Sequence, residues 1–255
     1  MTFTVRSTNL VFPGGSGQTL AATFEAPEAE PHAFALFAPC FTCSKDSKAI
    51  VRMSRELAER GIAVLRYDVT GIGESEGDFS ETSFESQQED LIAAAAFLRA
   101  RHRAPALLLG ISLGGAVAIS TASRLPGVGA VAVVNAPASL DHLRMTLLRL
   151  APELATVDSK EVVIVGQKVR IGRRFVDDLR KHSVMDAVAG LDVHVLVAAA
   201  TDDEIVPPDH GERLFEAAGH PKSFLAIPGS DHLMLRDPDT ANWLGRMVAA
   251  WFERV

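Results

Sequence analysis

Short apolar runs recur along the chain and alternate with segments whose apolar residues follow a helical period. The first two runs, residues 3–12 and 20–25, flank a glycine-rich turn and predict an antiparallel strand pair. The next six are almost wholly apolar, as strands buried on both faces of a parallel sheet are: 33–37, 63–67, 106–111, 129–135, 193–200 and 223–227. The pattern therefore predicts an α/β fold with an eight-stranded, mostly parallel sheet.

Two details of the intervening helices also follow from the pattern. Thr82 and Glu85 have the spacing of a capping box and predict the start of a helix. In the last helix, Trp243, Met247 and Trp251 recur at helical spacing, so we expect this stripe to face the core.

Residues 137–189, between the sixth and seventh predicted strands, are more than one crossover helix needs. We expect them to form a cap insertion on a single domain whose core comprises residues 1–136 and 190–255. A chain of 255 residues that is 47% hydrophobic can bury such a core.

The insertion carries its own local signals. The runs 162–165 and 168–171 flank Gly166 and Gln167 and predict a hairpin with those two residues in its turn. Residues 173–181 then predict a short helix. We expect the hairpin and helices to form a roof above the sheet.

The segment Gly110-Ile111-Ser112-Leu113-Gly114 joins an apolar strand to a helix rich in small residues. A serine on such a tight turn is held in a strained backbone conformation that exposes its hydroxyl, and the flanking glycines avoid Cβ clashes. The pattern predicts Ser112 as a nucleophile. The alternative is a glycine-rich turn that only allows close helix packing.

A serine hydroxyl is a poor nucleophile until a base takes its proton. Two later strand ends carry suitable groups: Asp202 and Asp203 follow the strand over 193–200, and His232 follows a glycine-containing loop after the next strand. Open α/β sheets keep their sites at the carboxyl ends of strands. We therefore expect a carboxylate and His232 to meet Ser112.

The chain resembles the α/β-hydrolase superfamily over essentially its whole length. The order Ser, Asp, His is the order of that fold. Residues 68–75 are similar to its D-x-x-G-x-G-x-S loop, and residues 203–207 to its D-x-[IV]-V-P acid loop. The resemblance implies the α/β-hydrolase fold, with helices on both faces of the sheet. It also implies Asp203, rather than Asp202, as the acid.

A narrower resemblance rests on residues 41–47 and 73–79. They look like the hydrolase half of bacterial proteins in which an α/β-hydrolase is fused to an OsmC-type peroxide-reducing domain. The sequence carries one hydrolase, so we expect the second half of such a fusion to be absent.

In the α/β-hydrolase fold, two backbone N–H groups stabilise the oxyanion of the tetrahedral intermediate. The resemblance implies that these two donors are the backbone N–H groups of Leu113, which follows the nucleophile, and of Phe41, in the loop after the third strand. The superfamily commonly has His-Gly before the second donor, whereas this chain has Pro39-Cys40. Backbone donors do not depend on side-chain identity, so the expectation stands.

The chain has only two cysteines, Cys40 and Cys43, which are too few for a secreted disulfide framework. We expect reduced thiols, a reducing compartment and, because no basic and apolar leader opens the sequence, a cytoplasmic location. Their C-x-x-C spacing also fits a thiol redox motif, which remains an alternative.

The net charge of −7 argues against nucleic acid or an anionic membrane as the main partner. No apolar run approaches the roughly 18 residues that span a bilayer. Neither metal-ligand spacing nor a complete dinucleotide fingerprint occurs, so we expect no metal and no other cofactor. The expected partner is a small-molecule ester substrate, and homo-oligomerisation is left open.

These observations favour a serine hydrolase that cleaves small to medium carboxylic esters through an acyl-enzyme. Ser112 is the nucleophile, His232 the general base and later acid, and Asp203 the group that orients the imidazole. The alternatives are a thiol redox module on Cys40 and Cys43 and a non-catalytic relative. Five apolar residues of the insertion could either line an acyl pocket or pack the cap on the core: Leu140, Leu143, Met145, Leu147 and Leu148.

Overall fold

Ten strands form two sheets in the computed structural model, which describes residues 2–164 and 166–255. They are β1 (Val5–Pro13), β2 (Thr19–Pro27), β3 (Ala33–Ala38), β4 (Ile62–Tyr67), β5 (Leu107–Ile111), β6 (Ala130–Val134), β7 (Ser159–Ile164), β8 (Gln167–Gly172), β9 (His194–Ala200) and β10 (Lys222–Ile227). The main sheet has the order β1-β2-β4-β3-β5-β6-β9-β10, and β7-β8 is a separate hairpin. Neighbouring strands from β4 to β10 in this order are parallel, whereas the β1-β2 and β2-β4 pairs are antiparallel. The predicted eight-stranded, mostly parallel sheet is confirmed.

Helices cover both faces of this sheet. They are α1 (Lys48–Ala58), α2 (Phe84–Arg101), α3 (Leu113–Ala122), α4 (Leu140–Leu150), α5 (Arg173–Asp178), α6 (Val184–Ala189), α7 (Asp209–Ala217) and α8 (Pro238–Phe252). One hydrophobic cluster joins one face of the sheet to helices α2 to α7, and a second joins the other face to α1 and α8. Of the helices described, none combines the length and the hydropathy needed to cross a membrane.

The predicted start of α2 is wrong by one residue. The capping box is formed by Ser83 and Ser86, each of whose hydroxyls accepts the other's backbone N–H. Thr82 instead donates its hydroxyl to the carbonyl of Phe79 and closes a 3₁₀ turn before the helix. Because the cap is Ser83 and not Thr82, Ser86 and not Glu85 occupies the third helical position, from which its hydroxyl reaches back to the cap.

The predicted inward face of α8 is wrong for Met247, which is 39% exposed. Trp243 and Trp251 are half-buried and pack against the second hydrophobic cluster. The helix packs on α1 through Gly245, where a Cβ would crowd the backbone of Met53. This close approach favours small residues at the centre of the contact. The buried residues of α8 are Ala241, Leu244, Gly245, Val248 and Ala249.

Between β6 and β9 the chain forms α4, the β7-β8 hairpin, α5 and α6. The hairpin is present, but Gln167 pairs with Ile164 and belongs to β8 and not to the turn. Gly166 has a φ of +78°, a conformation that suits glycine. The prediction for Val165 lies outside the described residues. The predicted helix over 173–181 is α5 followed by a 3₁₀ turn over Leu179–Lys181.

Helix α5 attaches the insertion to the loop after β3. The fully buried Phe175 ring lies 5.0 Å from the ring of Phe41 and 6.1 Å from that of Phe79, centroid to centroid. Asp178 accepts the backbone N–H of Glu85 in the first turn of α2. Burial alone would raise the pKa of Asp178, but that N–H and the neighbouring cations lower it. Aromatic packing and a charged helix cap together hold α5 in place.

Candidate active site

Ser112 lies at the sharp turn between β5 and α3, with φ +54° and ψ −126°. Its backbone N–H donates to the carbonyl of Val134 at the end of β6, over 2.8 Å. A Cβ on Gly110 would overlap the backbone of Gly114, so the turn closes only around glycine. The strained conformation expected of an elbow serine is therefore present.

The structure brings Ser112, His232 and Asp203 together beyond the carboxyl ends of β5, β10 and β9. His232 Nε2 lies 2.9 Å from Ser112 Oγ, and His232 Nδ1 lies 2.6 Å from Asp203 Oδ2. Both His232 and Asp203 are buried, so each polar atom there needs a partner. With Asp203 on Nδ1, the imidazole presents Nε2 to the hydroxyl and can accept its proton.

Asp203 is fixed by its own loop. Its second oxygen, Oδ1, accepts the backbone N–H groups of Ile205 and Val206, each at 2.9 Å. Asp202, the alternative acid, is exposed and lies 3.7 Å from the guanidinium of Arg236. Of the two adjacent aspartates, only Asp203 contacts His232.

The proposed oxyanion donors lie on neighbouring segments. Helix α3 approaches the loop after β3 so closely that a Cβ on Gly114 would overlap the carbonyl oxygens of Ala38 and Pro39. Leu113 is the first residue of α3, where a backbone N–H has no intrahelical partner. Within the part of the chain that the structure describes, neither Leu113 N–H nor Phe41 N–H donates to a protein acceptor. Their role stays a prediction.

The same architecture recurs in known proteins. A solved structure described as the esterase domain of a Rhodothermus marinus protein is 36% identical, with a TM-score of 0.80 and 98% of both chains covered. The chain belongs to the α/β-hydrolase superfamily. Residues 43–162 also match the family model described as serine aminopeptidase, S33. The α/β-hydrolase fold inferred from the motifs is thereby confirmed.

Other similarities are more distant. Est1E from Butyrivibrio proteoclasticus, solved with ferulic acid bound, has a TM-score of 0.83 at 20% identity over 95% of this chain and 98% of that chain, which shows the shared fold. An uncharacterized protein of Mycobacterium tuberculosis is 32% identical over 182 residues, 70% of this chain and 55% of that protein. The uncharacterized protein YfhR of Salmonella typhi is 28% identical over 183 residues, which are 69% of this chain and 57% of that protein. The chain thus spans little more than half the length of these two curated relatives. The narrower OsmC-fusion resemblance stays a prediction.

In this α/β-hydrolase, a buried cation connects the Phe41 loop to the D-x-x-G-x-G-x-S loop. The amine of Lys45 lies 3.4 Å from the carboxylate of Asp68, 2.6 Å from that of Glu74 and 3.0 Å from that of Asp46. Burial would lower the pKa of Lys45, but hydrogen bonds to Glu74 and Asp46 and the charge of Asp68 raise it well above its ordinary value. Lys45 is therefore a charged, structural residue.

Asp68 and Arg66 complete this network. Asp68 accepts the backbone N–H groups of Lys45 and Glu74. Arg66 donates to the carbonyl of Lys45 and pairs with the buried Glu25 at 2.9 Å. In the sequence, both loops are visible only as family signatures. Their contacts tie the loop that carries Phe41 to the end of β4 and to the loop at residues 68–75.

Cys40 and Cys43 are joined in a disulfide, so the expectation of reduced thiols is wrong. The turn around Phe41 brings their Cα atoms to 5.1 Å, well within the range that a disulfide bridges. The inference of a reducing compartment from free thiols therefore loses its basis. Both residues are buried, at 7% and 9% exposure, whereas reactive cysteines are partly exposed.

The five apolar residues of the insertion were expected either to line an acyl pocket or to pack the cap on the core, and the structure places them in different environments. Leu140 and Leu147 are buried in the main cluster, and Leu143 and Leu148 pack against it. Met145 is 43% exposed. The first four thus pack the insertion on the core, and the role of Met145 in an acyl pocket stays a prediction.

Proposed function

We propose that this α/β-hydrolase is a serine hydrolase that cleaves small to medium carboxylic esters through an acyl-enzyme intermediate. The observation that carries the proposal is the continuous hydrogen-bonded array from Ser112 through His232 to Asp203. It lies beside two backbone N–H groups without a protein acceptor among the described residues.

In the first half of the reaction, Ser112 Oγ attacks the ester carbonyl carbon while His232 Nε2 takes the hydroxyl proton. The N–H groups of Leu113 and Phe41 stabilise the oxyanion that forms. The intermediate then collapses to an acyl-serine. His232 returns the proton to the departing alkoxide, which leaves as the alcohol.

In the second half, a water molecule attacks the acyl-serine and His232 accepts its proton. The same two N–H groups stabilise the second oxyanion. Collapse releases the carboxylic acid, and the proton passes back to Ser112 Oγ. Asp203 keeps its negative charge throughout and stabilises the imidazolium in both halves.

Two observations favour a serine hydrolase that acts on esters over a thiol redox module on Cys40 and Cys43. The sulfurs of Cys40 and Cys43 are joined and buried, so neither is an accessible thiolate in this structure. The 36% identical structure is described as an esterase domain, and its similarity extends over the whole of this chain.

An acyl-chain and leaving-group series tests the proposed substrate class. We expect p-nitrophenyl acetate and butyrate to be hydrolysed with kcat/KM about tenfold or more above that of leucine p-nitroanilide, because an amide has the poorer leaving group. Cleavage of the anilide alone would replace the esterase proposal with an aminopeptidase. Turnover of neither the esters nor the anilide would favour a non-catalytic relative.

A further inference from the structure

Asn135 follows directly after β6 and connects the three strand ends that carry the proposed catalytic residues. Its amide Nδ2–H donates to the backbone carbonyl of His232 over 2.7 Å. Its Oδ1 accepts the backbone N–H of Ala200, the last residue of β9, over 2.8 Å. The preceding residue, Val134, accepts the N–H of Ser112. The segment Val134–Asn135 thus touches the Ser112 turn, the strand before the Asp203 loop and the His232 loop.

The chemistry of this position suits asparagine closely. The residue is 3% exposed and must offer a donor and an acceptor at once, which an amide does and a carboxylate or methyl group does not. Its φ is +51°, a left-handed conformation that asparagine tolerates better than most residues. The two partners also fix the amide orientation, because only oxygen can accept from Ala200 and only nitrogen can donate to His232.

We infer that Asn135 is a positioning residue, which holds the backbone of His232 so that its imidazole spans Ser112 and Asp203. The inference rests on the proposed function. His232 lies in a loop, and its carbonyl needs a fixed donor if the ring is to keep both 2.6 Å and 2.9 Å contacts. A displacement of about 1 Å at such a site can reduce catalysis about 100-fold.

Two substitutions test this role. Asn135→Gly accommodates the positive φ but removes both hydrogen bonds, and Asn135→Asp keeps the shape and the acceptor but cannot donate to the His232 carbonyl as a carboxylate. For p-nitrophenyl butyrate, we expect both variants to lower kcat about 10- to 100-fold and to change KM by no more than about twofold.

A spectroscopic readout separates positioning from simple loss of stability. The proton between His232 Nδ1 and Asp203 should give a strongly downfield ¹H NMR resonance in the parent protein. We expect that resonance to be lost or broadened by solvent exchange in both variants. The matched control is Thr121→Val, which removes a buried hydrogen bond to Val117 within α3 and should leave kcat and the resonance unchanged.

The outcomes are distinguishable from failure of the proposed function. If Asn135→Gly and Asn135→Asp keep the parental kcat and resonance, or if both fail to fold, Asn135 is structural and the inference is overturned. If Thr121→Val lowers kcat equally, the effect is general destabilisation and the inference is also overturned. Failure of the proposed function would appear separately, as undiminished turnover in Ser112→Ala.

Discussion

Ser112→Ala should lower kcat/KM for p-nitrophenyl butyrate by about 10⁶-fold, the largest effect expected of any single change. The substitution removes the oxygen that forms the acyl-enzyme, and loss of a serine nucleophile in a working triad costs about this much. Residual turnover should remain above the uncatalysed rate, because binding and the two backbone donors are left in place. Initial rates over a range of substrate concentrations measure the effect.

The control is Ser120→Ala, which makes the same change two turns later on α3. The Ser120 hydroxyl is buried and has no hydrogen-bond partner among the described residues, so its removal should leave activity and stability nearly unchanged. Turnover by Ser112→Ala close to that of Ser120→Ala would show that the hydrolysis does not pass through Ser112.

Lys45→Met should lower the free energy of unfolding by about 3 kcal/mol, the largest stability change we predict. Removing one partner of a buried ion pair leaves the other charge uncompensated, and such changes cost about 3–5 kcal/mol. Here the uncompensated group is Asp68, which is fully buried. We expect the lower end of that range, because the side chains of Glu74 and Asp46 are largely exposed and Asp68 keeps two backbone donors. Urea unfolding curves give the difference.

Arg124→Met is the matched control for this prediction. Arg124 pairs with Glu89 at 2.7 Å, but both side chains are largely solvent-exposed, and such pairs contribute about 0–1 kcal/mol. A loss in Lys45→Met no greater than that in Arg124→Met would contradict the structural role of the buried network.

The parts of the site that the sequence predicted are those with short-range signals. Ser112 is marked by a turn in which the backbone of Gly114 approaches Gly110, four residues earlier, too closely for a Cβ at that position. Asp203 and His232 each follow a strand that the apolar pattern identifies, and parallel strands end at the same edge. The order Ser, Asp, His along the chain then indicates that these three residues act together, although they are far apart in sequence.

The parts that the sequence did not predict depend on contacts between distant elements. The face of α8 is set by how closely Gly245 approaches α1, which periodicity does not encode. Asn135 looked like the last residue of a strand, and its two partners lie 65 and 97 residues away. The Cys40–Cys43 disulfide needs a turn whose geometry the spacing alone left open.

The same limit applies to the Lys45 network. Its acidic partners come from two loops, and no local pattern distinguishes a buried lysine from a solvated one. The motif at residues 68–75 could have been a signal, because an aspartate that precedes a glycine-rich loop can accept the backbone N–H groups of that loop. Asp68 does accept two.

Covalent labelling with a fluorophosphonate probe tests the central claim most directly, because the probe reacts preferentially with a serine that a histidine activates. We predict one adduct per chain, located by peptide mass spectrometry at Ser112, and loss of p-nitrophenyl butyrate hydrolysis in step with labelling. Labelling should be absent in Ser112→Ala and retained in Ser120→Ala. An adduct at another residue, or full ester hydrolysis by a protein that the probe does not label, would contradict the assignment of Ser112 as the nucleophile.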